Sequence, residues 1–171
     1  GCIADSRKLQ LESGKVFFLK QLHGGSSGAF DAEERGLEEL RKSGTVNVPE
    51  VVYKGVDFLL LQWIEAGYSR SSSSMEMLGI QFAELHRYRG KKFGFTEDNL
   101  LGDSPQSNKP SKEGSLNWAE FYAENRLEFQ TSLAVKKGYA TPELTNLMDN
   151  LIKKLPDLIL GTEEEPSLLH G

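Results

Sequence analysis

A glutamate stands in the apolar stripe of the most informative helical segment in this chain. Over residues 30–42, Phe30, Glu33, Leu37 and Leu40 recur at spacings of three, four and three, which places all four on one face of a helix. A carboxylate in such a seam is costly to desolvate unless a cation and further hydrogen bonds meet it. Lys20 is the natural candidate. It ends the run VFFLK at residues 16–20, where strand alternation puts Val16, Phe18 and Lys20 on one face and Phe17 and Leu19 on the other. The alternative leaves Glu33 at the edge of the seam and lets the lysine stem carry its ammonium out to water. Glu38 and Lys42 are expected to form an exposed i,i+4 pair on the same helix.

The segments around this pair alternate between strand and turn. Residues 2–11 and 16–20 have strand character and are separated by Glu12-Ser13-Gly14-Lys15, a hairpin signal. Gly44 stops the helix, and Pro49 leads into a short strand at residues 51–53. FLLLQWI at residues 58–64 is too short for most helices and reads as a central strand buried on both faces. The polar run Arg70-Ser71-Ser72-Ser73-Ser74 marks a domain boundary, and helices dominate beyond it. Ser73 with Glu76 forms a capping-box pattern before Met75, Leu78, Phe82 and Leu85. Residues 93–110 are expected to be irregular. Asn117 with Glu120 offers a second cap, and Thr141-Pro142 opens the clearest helix, with Pro156 expected to end or redirect it. The predicted domains are therefore residues 1–65, a β-rich unit with one helix, and residues 66–171, a helical unit.

Composition excludes more than it selects. The formal net charge is −5 and the basic residues are scattered, so there is no electrostatic footprint for nucleic acid or an anionic membrane. No apolar run approaches the roughly 20 residues of a membrane span. The single cysteine, Cys2, cannot build an internal disulfide framework, which favours a reducing compartment such as the cytoplasm, with an organelle left open. Three dispersed histidines, His23, His86 and His170, do not resemble a zinc site, and no metal ligands are expected within the chain.

The pieces resemble, in order and with similar gaps, the fructosamine kinase (ketosamine kinase) family, a relative of aminoglycoside phosphotransferases and protein kinases. Gly1-Cys2-Ile3 is similar to the end of that family's glycine-rich loop, VFFLK to its lysine strand, and FDAEERGLEEL to its glutamate helix. VNVPEVV, FLLLQWIEAG, FAELH, FGFTEDNLLGDSPQSN, NWAEFYAENRL and PSLLHG follow. Each piece is weak alone. The resemblance implies an α+β, protein-kinase-like bilobal fold with a small β-rich N-lobe and a mainly helical C-lobe, its pattern incomplete at both ends. In the family the catalytic loop opens on the residues matching His170 and Gly171 and continues into an aspartate, so a polypeptide ending at Gly171 is expected to be inactive.

The resemblance also implies roles. Lys20 would bind the α- and β-phosphates of ATP and Glu33 would hold its ammonium in place. Gln62 and Ile64 would offer a backbone carbonyl and N–H to adenine, with Trp63 between them pointing elsewhere. Magnesium would accompany ATP, held by family residues beyond those present. The implied substrate is a ketosamine, a fructosamine or ribulosamine adduct of a small amine or protein lysine, phosphorylated on the sugar 3-hydroxyl in the service of deglycation. Cys2, near phosphate-binding backbone and a lysine, could carry a lowered thiol pKa and join two copies by a disulfide, or be an inert small side chain. The rival readings are a phosphotransferase acting on aminoglycosides or choline-like alcohols, and a nucleotide-binding fragment without catalysis.

Overall fold

The computed structural model describes residues 4–22, 28–67, 71–102, 104–109, 117–161 and 165–169. Strands β1 (Asp5–Gln10) and β2 (Val16–Gln21) pair antiparallel. At the turn between them Gly14 takes φ +82°, a conformation open to a residue without Cβ. Helix α1 (Ala29–Lys42) follows, then β3 (Val51–Lys54) and β4 (Phe58–Gln62). The four strands form one antiparallel sheet in the order β1-β2-β4-β3. β4 is central, as its apolar run predicts, but it is not buried on both faces. Leu59 and Leu61 are buried, whereas Phe58 and Leu60 are only half-buried. Alternate residues of a strand face opposite sides, and the core lies on one of them: Leu59 and Leu61 cluster with Leu22 and Phe30, and Leu37 packs against that cluster.

Helix α1 thus buries its stripe against the sheet through Phe30 and Leu37. It begins at Gly28, which has φ +94° and gives no side-chain cap. It closes where the Ser43 hydroxyl donates to the Leu40 carbonyl at 2.7 Å and the Gly44 N–H to Arg41 at 3.0 Å. Lys42 pairs with Glu39 at 2.7 Å rather than with the expected Glu38. Neighbours three and four residues apart are similarly placed on a helix, and spacing alone does not choose between them.

Helix α2 (Ser72–Arg87) is capped two residues before the predicted Ser73. Ser71, in extended conformation, is the residue whose side chain accepts from the Ser74 N–H at 3.1 Å. Leu85 near the end of this helix is buried. The chain packs as two compact units, residues 1–88 with 168–171 and residues 89–167. Helix α2 belongs to the first, so the boundary read from the sequence after residue 65 falls inside that unit.

In the second unit, the segment predicted to be irregular contains a small hairpin, β5 (Asn99–Leu101) and β6 (Ser104–Gln106). Helix α3 (Trp118–Tyr122) runs without a break into a π-helical turn (Ala123–Glu128) and then α4 (Phe129–Lys136). The Asn117–Glu120 capping box forms as predicted. In α5 (Pro142–Leu158), Thr141 accepts from the Leu144 N–H at 3.2 Å, and Pro156 lies inside the last turns without ending the helix at once. Phe121 and Leu155 are buried here, and Phe93 and Trp118 stack rings around Phe121 with centroids 5.4–6.4 Å apart. No helix among the described residues is long and apolar enough to cross a membrane.

Candidate functional site

The pairing expected from the helical stripe is present. Lys20 Nζ donates to both carboxylate oxygens of Glu33, at 2.5 and 2.7 Å. The two side chains are 23% and 30% exposed, so the pair is set into the sheet–helix junction with part of its surface in solvent. An ammonium has three donors. Among the described residues Glu33 takes two of them, which leaves a third for an anion. That arrangement fits a phosphate group: the cation is fixed in place without being consumed by its partner.

The local folding reasons are visible in the register. Lys20 on β2 lies opposite Leu59 on β4, and Phe18 opposite Leu61, so lysine and core leucines share the sheet face that α1 covers. Phe30 and Leu37 press the helix onto that face, which brings Glu33 over Lys20. A strand and a helix that are separated in sequence by a loop are joined here by one ion pair and an apolar seam.

At the end of β4, Gln62 is tied back rather than free. Its N–H donates to the Glu50 carbonyl at 2.8 Å, and its side-chain oxygen accepts from the Glu50 N–H at 3.3 Å. The Trp63 side chain, expected to point elsewhere, has defined partners. Its indole N–H donates to Glu65 at 2.8 Å, Lys8 Nζ stands 4.8 Å from the ring centroid, and the Phe18 ring lies 6.4 Å away. A cation over an indole face is attracted by the ring quadrupole, so Lys8, Glu65 and Phe18 together hold the Trp63 ring in place. The Ile64 side chain is more than half exposed.

Sequence reasoning missed a second cationic contact on α1. Lys54, the last residue of β3, donates to Asp31 and to Glu34. Those hydrogen bonds hold the Lys54 ammonium above the ordinary lysine pKa, and the Lys54 hydrogen bond holds the Asp31 carboxyl below the ordinary aspartate value. The readable signal was Asp31 and Glu34 at i,i+3 on one flank of α1.

In the second unit, two segments that carried the family resemblance meet each other. Asn125, buried in the π-helical turn, donates from Nδ2 to Ser107 Oγ and to the Lys109 carbonyl, each at 2.8 Å. Arg126 donates to the Ser107 carbonyl and, at 2.9 Å, to Asn108 Oδ1. Buried Asn108 in turn donates to Asn99 Oδ1 at 2.8 Å and to the Glu97 carbonyl at 3.1 Å. Desolvation lowers the Arg126 pKa, yet the guanidinium stays charged because its ordinary value is so high. His86 makes an edge-on ring contact with Phe82 at 6.5 Å. Among the described residues no group of three or more His, Cys, Asp or Glu could hold a metal ion. The positions Gly1, Cys2, Ile3, His23, His170 and Gly171 lie outside the described residues.

The fructosamine kinase family model matches residues 1–171. This chain belongs to the fructosamine kinase family. Among curated relatives of this family member, the chloroplastic protein-ribulosamine 3-kinase of Arabidopsis thaliana is 32% identical over 178 residues, covering 100% of this chain and 52% of the relative. The "probable ketoamine kinase YniA" of Escherichia coli K12 is 32% identical over 164 residues, covering 93% of this chain and 54% of the relative. The chain thus spans about half the length of the curated relatives it matches. Among solved structures, a "putative fructosamine-3-kinase" from Thermobifida fusca YX-ER1 superposes with a TM-score of 0.81 at 29% identity, over 98% of this chain and 60% of that one. A similarly described protein from Haemophilus somnus 129PT gives 0.75 at 26% identity, over 98% of this chain and 59% of that one. These likenesses bear out the α+β, protein-kinase-like fold class expected of a fructosamine kinase.

Proposed function

We propose that this protein is an ATP-dependent kinase that phosphorylates the sugar 3-hydroxyl of ketosamines, fructosamine or ribulosamine adducts, and thereby serves protein deglycation. The observation that carries the reading is the Lys20–Glu33 ion pair in a chain of the fructosamine kinase family. Phosphoryl transfer is governed by positioning and charge neutralisation, and kinases need a lysine held by a helix glutamate. Lys20 supplies charge to the α- and β-phosphates of ATP. Glu33 fixes the direction in which the remaining N–H points.

Backbone groups of Gln62 and Ile64 then meet the adenine edge, and the Trp63 ring between them is held by Lys8, Phe18 and Glu65. Residues 1–65 supply these nucleotide-binding groups. Residues 66–171 carry the helical part, up to the loop that His170 and Gly171 open in the family pattern. The aspartate that follows them in the family orients the acceptor hydroxyl. Magnesium bound with ATP would bridge the phosphates and neutralise their charge.

A cytoplasmic location belongs to this reading and is supported by the lone cysteine, while the Arabidopsis relative is chloroplastic by name. Cell fractionation distinguishes the two. A disulfide-linked dimer through Cys2 finds no support among the described residues and is not part of the reading.

The deciding experiment supplies the protein, carried through its catalytic loop, with MgATP and fructosyl-lysine or ribulosyl-lysine and follows ADP release and phosphate on the sugar O3 by NMR. Turnover with either adduct, lost in Lys20→Met, is the expected result. Turnover only with aminoglycosides or choline would replace the substrate, and nucleotide binding without any turnover would replace the enzyme.

A further inference from the structure

Three strands contribute to one row of the sheet beneath α1. Lys20 on β2 and Lys54 on β3 are both register partners of Leu59 on β4. Leu59 is fully buried. With strands about 4.8 Å apart, the two lysines stand about 10 Å from each other across that leucine. Both reach up to the same helix. Lys20 takes Glu33, and Lys54 takes Asp31 and Glu34.

Helical geometry places these acids on opposite flanks of the seam. Asp31 and Glu34, at i,i+3, lie on one side of the Phe30–Leu37 line, and Glu33 lies on the other, about 100° around the axis from Glu34. A roll of α1 by about 20° would carry a carboxylate about 5 Å from the axis through about 2 Å. That is enough to break a hydrogen bond of the Lys20–Glu33 kind. Something must hold the helix against this roll near its start, where Gly28 gives no side-chain cap. Phe30 and Leu37 anchor the helix along one line, and the ion pairs lie on either side of it.

We propose that Lys54 is a positioning residue for the Lys20–Glu33 pair: by gripping Asp31 and Glu34 it sets the roll of α1 and so fixes where Glu33 meets Lys20. The inference rests on the reading above, in which Lys20 binds nucleotide phosphates. Lys54 touches neither nucleotide nor acceptor in this scheme. Its effect passes through the helix.

The test uses the whole protein with MgATP as varied substrate and saturating fructosyl-lysine. Lys54→Met is expected to lower kcat/KM for ATP by about tenfold with KM for the ketosamine unchanged. Lys54→Arg, whose fork reaches both acids, is expected to restore activity to within about threefold. In a Lys20→Met background, adding Lys54→Met should leave the ATP dissociation constant, read by calorimetry, within about twofold, because the route of the effect is already cut. Wild-type kcat/KM in Lys54→Met would overturn the proposal, as would a full additional loss in the Lys20→Met background. If Lys54→Met does not fold, Glu34→Gln removes one of the two grips, and an unchanged kcat/KM for ATP there overturns it equally. Should Lys20→Met itself turn over normally, the nucleotide reading fails; should Lys20→Met be dead and Lys54→Met normal, only the clamp fails.

Discussion

Lys20 and Lys54 flank the fully buried Leu59 in one row of the sheet, and each holds a different flank of helix α1. The helix that carries Glu33 is therefore fixed by an apolar seam with a cation on either side. An apolar seam resists separation, whereas ion pairs with directional geometry resist sliding and roll. The two kinds of contact do different work at the same junction.

Lys20→Met should lower kcat/KM for ATP by about 10²–10³, the loss typical of removing one preorganised charge-stabilising donor. Its effect on stability should stay within about 1 kcal/mol, because a partly exposed ion pair contributes little to folding. Steady-state kinetics beside a urea titration separates the two. Glu33→Gln keeps the shape but loses the charge, and should fall between wild type and Lys20→Met in the same assay.

The buried polar network of the second unit makes a stability prediction. Asn125 donates two hydrogen bonds from a buried position, so Asn125→Ala should leave Ser107 and the Lys109 carbonyl short of a partner. A cost of about 1–3 kcal/mol is expected, read as a lowered urea midpoint at unchanged slope.

Asp98 gives a pH dependence. Its carboxylate accepts from the Asn108 N–H at 2.7 Å and the Lys109 N–H at 3.1 Å, and the Asn108 bond above all holds its pKa below the ordinary 3.8. A depressed folded-state pKa means that the unfolded chain binds the proton first as pH falls. The contribution is complete above the unfolded value and is lost as pH drops through the folded one. Asp98→Asn should therefore flatten the fall in urea midpoint between about pH 5 and pH 3.

Gly55 precedes a tight contact. Its N–H donates to the Phe58 carbonyl at 2.8 Å, and a Cβ built there would overlap the Phe58 ring, which is stacked on Tyr53 at 5.7 Å. Gly55→Ala should destabilise by about 1–3 kcal/mol through that overlap. In a Phe58→Ala background the same change should cost less than about 0.5 kcal/mol. Thermal melts of the four proteins check it.

Much of the first unit could be read from residue order because its elements obey simple periods. Alternation in VFFLK put Lys20 on the core side, and the three-four-three spacing put Glu33 over it. Lys54 was hidden for a physical reason: β3 shifts register against β4 between Val51 and Tyr53, and such an irregularity reverses which side the following residues face. The β5–β6 hairpin was missed because three-residue strands show no period, and Pro105 within one of them argues against a strand. The partner of Lys42 turned on the choice between i+3 and i+4, which spacing leaves undecided.

The π-helical turn of the second unit governs how its sequence can change in length. The π-helical turn at Ala123–Glu128 holds more residues per turn than its α-helical neighbours. Loss of one residue inside it would let the segment relax into regular winding while α4 stays nearly in phase with Trp118, because the wide turn absorbs about one residue's worth of rotation. Within the turn itself the residues would rotate by a few tens of degrees, so Asn125 and Arg126 would lose their aim at Ser107 and Asn108. The wide turn is what aims these two side chains, so a one-codon deletion there would loosen the tie to Ser107, Asn108 and Lys109 while leaving α4 where it is.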